Sequence, residues 1–428
     1  MSNLKRLCLM SVAICAISAS TAVAQGDNFY SRDKYEAVMD RAQPEFDPEP
    51  VRLGAFLVRA QGDVGVTATD NVFAAPANQE SDVIARVGGS VSANTNWSAH
   101  AVGVDVSAHR NEFLDQDTES NTELRATLRG RLDVTREFSM GGSVFAESLT
   151  EPRTAYVGGF GIDAPVQYTR QGASVDANYQ NDRVRWYNSA VLFKEDFDNS
   201  REAGTGLPID QGFRDRNVTE GRSRLSYAIS PDLAVFSQVS YVATDYRTTQ
   251  LIGGQERSRD STGYTLAGGV DFELSALVRG DVAVGYFKEE RDDNFFDDVS
   301  GLSVDARMQW FPTRLTTVSF NAGRRVVDIG AFEAPSVTET IGGVRVDHEL
   351  RRNIILSGFA RLASYDYEEV DRKDENLELG LRTIYKMNKR VHLEAFVSRL
   401  DRDVTGTSVF GDPSYGVNQI GIALRLHP

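Results

Sequence analysis

Arginine and carboxylate residues recur at every second position along several stretches of this sequence. In residues 123–134, the charged and polar side chains hold the odd positions and apolar residues hold the even ones. A strand points alternate side chains to opposite faces, whereas a helix would scatter these arginines around its surface. Arginine binds carboxylate and phosphate groups through paired N–H donors. The spacing therefore predicts strand faces on which cationic binding groups lie beside carboxylates.

The same alternation places further arginines on the polar faces of other predicted strands. If those faces line the inside of a barrel, the arginines contact whatever fills it. The candidate inward-facing residues are Arg86, Arg125, Arg129, Arg131, Arg222, Arg224, Arg307, Arg345 and Arg382.

One group of residues has the side-chain types of a hydrolytic site. Asp105, Ser107 and His109 share one face of a predicted strand. Residues two apart on a strand are separated by roughly 6 to 7 Å, which exceeds hydrogen-bond reach between a serine and a histidine. No nucleotide, zinc or phosphate-loop motif accompanies them. We therefore expect a protein that is not an enzyme and that uses no cofactor or metal.

The elements that carry these residues are strands of about 10 to 16 residues, long enough to cross a membrane at a tilt. Alternating stretches recur at residues 83–93, 264–272, 302–310, 377–385 and 420–426. The pattern predicts an all-β, transmembrane, antiparallel up-and-down β-barrel. A soluble sheet with one wet face is the alternative, and the hairpin repeat also fits propeller blades or a solenoid.

The connections between these strands alternate in length. Short polar links, such as residues 180–183 and 230–233, alternate with long Gly- and Asp-rich stretches, such as residues 195–217 and 288–301. Outer-membrane barrels have short periplasmic turns and long extracellular loops. We therefore expect about 18 strands (16–18) with both termini in the periplasm. The acidic stretch 288–298 is assigned to a solvated loop, with divalent-cation binding as the alternative.

The N-terminus reads as a Sec signal peptide over residues 1–24. Lys5 and Arg6 precede an apolar run, and Ala22-Val23-Ala24 offers a cleavage site. A lipoprotein signal at Cys15 is the alternative. Both cysteines, Cys8 and Cys15, lie in this segment, so the processed chain would have no disulfide or thiolate metal site. The formal net charge of −15 argues against nucleic-acid binding.

Between the signal peptide and the barrel, which we assign to residues 51–428, lies a periplasmic leader, residues 25–50. Residues 32–42 are expected to form a short helix that ends before Pro44. Tyr35, Val38 and Met39 would share one side of that helix. The leader is expected to dock a periplasmic partner, to plug the barrel or to remain a flexible segment.

Residues 42–73 carry sequence features that resemble the start of the putative β-barrel porin type 2 family. These features are Pro44-Glu45-Phe46-Asp47-Pro48, Arg52-Leu53-Gly54 with Phe56, and Asp70-Asn71-Val72-Phe73. The resemblance implies an outer-membrane barrel associated with exopolysaccharide biosynthesis and export. Two departures are Glu49-Pro50, where a Gly-containing link is expected, and the C-terminal Leu426-His427-Pro428, which lacks a terminal aromatic. The second departure predicts weaker recognition by the barrel-assembly machinery.

From the resemblance we expect a channel in the Gram-negative cell outer membrane that belongs to an exopolysaccharide export system. Its expected partners are outer-membrane lipid and lipopolysaccharide, the barrel-assembly machinery, a periplasmic polysaccharide-export partner, and polysaccharide or small solutes. The arginines would then form a ladder that guides acidic sugar polymers through weak contacts. Alternatively, they pair with carboxylates in a generic wet lumen. A general small-solute porin and a closed structural or adhesive surface barrel remain the other functional alternatives.

Overall fold

The chain folds as one closed antiparallel barrel. In the computed structural model, eighteen strands close this barrel, which confirms the predicted fold class and strand number. The residues that the structure describes are 36–155, 161–274, 277–329, 334–406 and 414–428. The expected signal peptide, residues 1–24, and the first part of the leader, residues 25–35, lie outside the described residues.

The barrel strands contain 12 to 16 residues each, well above the usual length of about 5 or 6 in soluble sheets. The first nine are β1 (Phe56–Thr69), β2 (Asp82–Thr95), β3 (Ala101–Phe113), β4 (Asn121–Asp133), β5 (Phe138–Thr150), β6 (Gln167–Asn181), β7 (Val184–Phe197), β8 (Arg216–Ser230) and β9 (Leu233–Tyr246). The other nine are β10 (Ser261–Leu274), β11 (Val278–Arg291), β12 (Val299–Thr313), β13 (Thr316–Asp328), β14 (Ser336–Arg351), β15 (Ile354–Tyr367), β16 (Arg372–Lys386), β17 (Val391–Gly406) and β18 (Tyr415–Leu426).

Each strand pairs with the next one along the chain, and β18 closes the barrel on β1. This closing ladder runs from Gly62 opposite Leu426 to Thr69 opposite Gln419. The first residues of β1, before Gly62, therefore have no partner in β18. A short strand, Val51–Leu53, folds back and pairs with Phe56–Val58. Because β2 occupies the other edge of β1 along its whole length, the short strand continues the line of β18.

The two faces of each strand differ in the way that the alternation predicts. On β4, Leu124, Leu128 and Leu132 are exposed on one face, and Arg125 and Arg129 lie on the other. The polar face is the inner one, because its residues on separate strands contact each other across the barrel, as described below. Among the described residues, no helix is long and apolar enough to cross a membrane.

The two ends of the barrel differ in their connections. At one end, which we call the turn end, strands are joined by short links such as residues 182–183 and 314–315. At the opposite loop end, longer connections include residues 198–215 and 247–260. The loops are shorter than the sequence predicted, because charged strand ends resemble loops. Lys288–Arg291, predicted as loop, continue β11, and the acidic connection is confined to residues 292–298.

Bulky inward-facing rings lie against glycines of the neighbouring strand. Phe359 on β15 stands directly opposite Gly380 on β16, and a Cβ atom at Gly380 would lie 2.4 Å from the Phe359 ring. Phe396 on β17 has the same relationship with Gly421 on β18. Since glycine leaves room beside the backbone, each ring packs along the wall of the barrel.

Candidate functional site

The inner face of the barrel holds the side chains with the strongest chemistry. All nine arginines predicted to face inward lie on the face opposite the exposed apolar side chains. On β8, Arg222 and Arg224 share this face with Arg216, which reaches Asp328 at the end of β13. Strands β8 and β13 are not neighbours, so their side chains can only meet inside the barrel. The polar face predicted from the alternation is thus the face that carries these arginines.

Between β1 and β5, the inward arginines bind carboxylates on the same or an adjacent strand. Arg129 forms an ion pair with Asp105 and also donates to the Asn94 side chain at 2.7 Å. Arg125 lies 3.3 Å from Glu123, and its Nε lies 3.8 Å from Glu147. Charges of both signs therefore alternate along this part of the wall. The remaining pairs here are Arg86 with Asp63 at 3.7 Å and Arg131 with Asp133 at 3.0 Å.

The opposite part of the wall, from β8 to β17, repeats this pairing. Asp281 on β11 lies 3.5 Å from Arg224 and 3.1 Å from Arg307. Arg222 instead donates to the amide oxygen of Gln238 at 2.5 Å. The same paired arrangement holds Arg345 with Asp347 at 2.9 Å, and Arg382 with Glu394 at 3.2 Å. The structure therefore matches the paired lumen that the sequence left open as the alternative to a ladder of free arginines.

At the loop end, a network of buried charges connects strands from different parts of the wall. Arg216 donates to Glu195 on β7 at 2.8 Å and to Asp328 on β13 at 3.1 Å. Asp328 also accepts a hydrogen bond from the Tyr246 hydroxyl and lies 3.5 Å from Arg291. Sequence reasoning missed this network. Arg216 was assigned to a loop, although its spacing from Arg222 and Arg224 continues their alternation.

A second set of contacts at the loop end joins a loop to the inner wall. Arg402 on β17 donates to the carbonyl of Ala155, in the connection after β5, at 3.3 Å. Arg402 also forms an ion pair with Asp374, which accepts hydrogen bonds from Arg372 and from the Tyr367 hydroxyl. These contacts draw loop and wall together across the loop end.

At the turn end, the leader enters the barrel. Val38 is buried, packs against Ile355 and Ile384 and donates its backbone N–H to the Thr317 hydroxyl at 3.0 Å. Arg41 forms an ion pair with Glu349 at 2.7 Å. These wall residues have the same strand parity as the inward arginines, so the leader lies inside the mouth along β13 to β16.

The leader continues along the inner wall beyond this point. Asp47 accepts from Lys386 at 2.7 Å, and the carbonyl of Phe46 lies 3.0 Å from the His392 ring. Residues 36–47 form turns, closed by bonds such as Asp40 N–H to Ala37 carbonyl, and no helix. The expected helix over residues 32–42 is therefore wrong for its described part, while residues 32–35 lie outside the description. Tertiary contacts, more than helix propensity, fix this segment.

The end of the chain packs next to the leader. His427 follows β18, and its ring centroid lies 4.8 Å from that of His392. Burial of the His427 imidazole, with His392 beside it, lowers its pKa to about 4. The ring is therefore neutral at neutral pH, so the two histidines can pack together without charge repulsion.

Two of the three residues with hydrolase-like types bind other partners. Asp105 pairs with Arg129, and the His109 ring lies 3.2 Å from Asp63 on β1. Ser107 stands opposite Ser90 in the ladder between β2 and β3. The His109 ring therefore faces Asp63 and not Ser107, and it links two strands of the inner wall.

Comparison with known proteins identifies one family. The profile described as "Putative beta-barrel porin 2" matches residues 43–427. No curated protein matches the chain.

Solved structures with a similar fold include three barrels of low sequence identity. The copper transporter OprC shares 10% identity at a TM-score of 0.49, over 89% of this chain and 82% of that chain. OccAB4 of Acinetobacter baumannii shares 10% identity at 0.47, over 91% and 100%. A BenF-like porin from Pseudomonas fluorescens Pf-5 shares 11% at 0.46, over 88% and 100%.

Proposed function

Since the chain belongs to the Putative beta-barrel porin 2 family, we propose that it is the outer-membrane channel of an exopolysaccharide export system. Porin-type barrels lie in the Gram-negative outer membrane, so the exposed apolar face of the strands contacts lipid there. Lipopolysaccharide is the proposed neighbour in the outer leaflet. The barrel-assembly machinery is the proposed partner for insertion.

The proposed orientation puts the turn end in the periplasm. An even number of strands brings both ends of the barrel to the same side, and short turns are periplasmic in this class of protein. The leader, which enters the barrel at the turn end, then faces the periplasm. The loop-end network around Asp328 faces the outside of the cell.

The observation that carries the export proposal is the leader inside the turn-end mouth. Most of its polar anchors are ion pairs and hydrogen bonds, including Arg41 with Glu349 and Asp47 with Lys386. Such noncovalent contacts can be exchanged for contacts with another protein. A periplasmic export partner that binds the leader would thus open the path at the moment when polymer arrives.

The polar, charged inner wall supports the passage of a hydrated polymer. An 18-stranded barrel is wide enough for an aqueous channel where nothing fills it. The arginines provide many weak contacts along the wall, which favour entry and still permit release. The nine inward arginines are the proposed contact residues, with the row Arg125, Arg129 and Arg131 as its centre.

A general porin for small solutes is the second candidate, and the loop-end network favours it. The contacts of Arg216 with Asp328 and of Arg402 with Ala155 narrow that end of the barrel. A narrowed mouth suits small solutes better than a polymer. If the network closes the mouth fully, the chain is a structural or adhesive surface barrel.

Deletion of the gene tests the proposal. We expect secreted polysaccharide to fall while uptake of small solutes stays normal. Complementation with the intact chain should restore secretion. Unchanged secretion with reduced small-solute uptake would assign the porin function instead. Purified chain without conductance in a planar bilayer, even after release of the leader, would assign the closed barrel.

A further inference from the structure

We propose that the lumen prefers anions, because the wall ion pairs turn their arginine toward the water and their carboxylate toward the wall. This inference rests on the proposed function only in requiring that the barrel conducts. It concerns the sign of the solute charge, which a balanced set of ion pairs would not decide. The evidence is the unequal exposure of the two partners.

In eight inward ion pairs the cation is more exposed than the anion. The Arg125 side chain is 40% exposed, whereas that of its partner Glu123 is 16% exposed. Arg345 is 37% exposed and Asp347 is 6% exposed. The same inequality holds for the pairs Arg86–Asp63, Arg129–Asp105, Arg131–Asp133, Arg307–Asp281, Arg325–Glu339 and Arg382–Glu394.

Wall contacts explain why the carboxylates are the hidden partners. Asp347 accepts hydrogen bonds from Arg345 and from the hydroxyl of Ser357 on the next strand. Glu394 lies between Arg382 and Arg425, which cover it from two sides. The longer arginine side chain extends over the short carboxylate and leaves part of the guanidinium in the lumen. The order is reversed in three sets of inward pairs, where the carboxylate is the more exposed partner: Arg307–Asp305, Arg170–Glu147, and Arg291 with Glu289 and Asp328.

The outer face of the same barrel has no consistent order of exposure. The cation is the more exposed partner in Lys194–Asp196 and Arg399–Asp401, but not in three other outer pairs. Arg110 and Glu112, which form an ion pair on the outer face of β3, are 48% and 51% exposed. On β11 and β16, the acidic partners in Lys288–Glu290 and Lys373–Glu375 are the more exposed ones. The orientation of the inner pairs therefore does not follow from side-chain length alone.

A wall of such pairs acts as a layer of dipoles with the positive end toward the water. Close to the wall, the nearer guanidinium outweighs the carboxylate behind it, because the Coulomb energy falls with distance. The Debye length at physiological salt is about 8 Å, so a passing solute senses this near surface. Guanidinium groups bind carboxylate and phosphate bidentately. The solutes selected are therefore those that carry carboxylate or phosphate groups.

The test is the reversal potential of the full-length processed chain in a planar bilayer across a KCl gradient. We expect chloride to permeate more readily than potassium. Replacement of the central row by Arg125→Glu, Arg129→Glu and Arg131→Glu should lower the chloride-to-potassium permeability ratio several-fold. The matched control, Arg110→Glu on the outer face, should leave this ratio unchanged. If the glutamate variant does not insert, the corresponding triple glutamine variant gives the same shift with a smaller size.

The outcomes separate this inference from the proposed function. Conductance with a preference for potassium, or a ratio that neither triple variant changes, overturns anion preference and leaves the channel standing. Conductance that is absent from the intact chain and from a leader-released variant such as Glu349→Gln overturns both. Anion preference without any loss of polysaccharide secretion on gene deletion supports the inference while contradicting export.

Discussion

Arg41 of the leader and Glu349 at the end of β14 form an ion pair of 2.7 Å inside the turn-end mouth of the barrel. Glu349 is nearly buried, and Arg41 also donates to the carbonyl of Arg314. This pair and the apolar contact of Val38 with Ile355 and Ile384 hold the leader against the wall. Substitutions that remove these contacts should therefore change the position of the leader.

Glu349→Gln should release the leader and raise the single-channel conductance. A hydrogen bond to a charged group contributes about 1.5–3 kcal/mol, so its loss shifts the docked population by roughly tenfold or more. Arg352→Ala serves as the control, because its pair with Glu45 is 3.6 Å long and exposed on both sides. Equal conductance of Glu349→Gln and the intact chain would contradict a leader that occupies the path.

A cysteine probe measures docking of the leader directly. Both native cysteines lie within residues 1–24, so the variant Val38→Cys carries a single thiol once that segment is removed. We expect slow labelling by a maleimide in this variant, because position 38 is buried. Adding Glu349→Gln should accelerate labelling several-fold. Fast labelling in both backgrounds would mean that Val38 is not held against the wall.

Asp328→Asn should loosen the loop end. The change removes the charge that pairs with Arg216 and Arg291 and leaves buried arginines without it. Loss of the sole partner of a buried charge costs about 3–5 kcal/mol, and the cost here is smaller because Arg216 keeps Glu195 and Arg291 keeps Glu289. We expect a lower temperature for loss of the heat-modifiable barrel band and faster proteolysis of the loops. Glu290→Gln, in an exposed pair with Lys288, should change neither.

Gly380→Leu should narrow the lumen without preventing folding. The new side chain occupies the space in which the Phe359 ring lies, so the ring must turn away from the wall. We expect lower conductance with a normal heat-modifiable band. Gly342→Ala is the control, because a Cβ atom there meets no heavy atom within 4 Å. Unchanged conductance in Gly380→Leu would show that Phe359 does not border the path.

Acid should weaken the packing of the chain end through His427. Its folded pKa of about 4 is below the ordinary value of 6.5, so the unfolded form binds the proton more tightly. The stabilisation is complete above about pH 6.5 and is lost as the pH falls toward about 4. With half-exposure discounted, the loss is of the order of 1–2 kcal/mol. Amide exchange of β18 should accelerate over this range in the intact chain and less in His427→Asn.

Period-two alternation allowed the strand number to be predicted from sequence, and it placed the arginines on the polar faces of the strands. The alternation on β4 is regular, so Arg125, Arg129 and Arg131 all lie on the face opposite the leucines. The strand ends were harder, because pairs such as Arg110 and Glu112 on the outer face rise above the apolar band and resemble loop residues. The charge composition of Lys288–Arg291 hid the end of β11 for the same reason.

The contacts that close the two mouths could not be predicted from the sequence. Arg216 and Asp328 belong to strands that are brought together only when the barrel closes, so no local pattern links them. The docking of Val38 depends on Ile355 and Ile384, which belong to two different strands near the turn end. The alternation predicts which face each residue lies on, but which residues meet depends on the closure of the barrel.

The short strand Val51–Leu53 has a consequence for the seam between the first and last strands. Without it, the backbone N–H and C=O groups at the start of β1 would be an unpaired sheet edge. Unpaired sheet edges can pair with a strand of a second chain. By folding back on Phe56–Val58, the segment before β1 pairs with part of the stretch that β18 does not reach. A neighbouring chain in a crowded membrane therefore meets a shorter free edge at this seam.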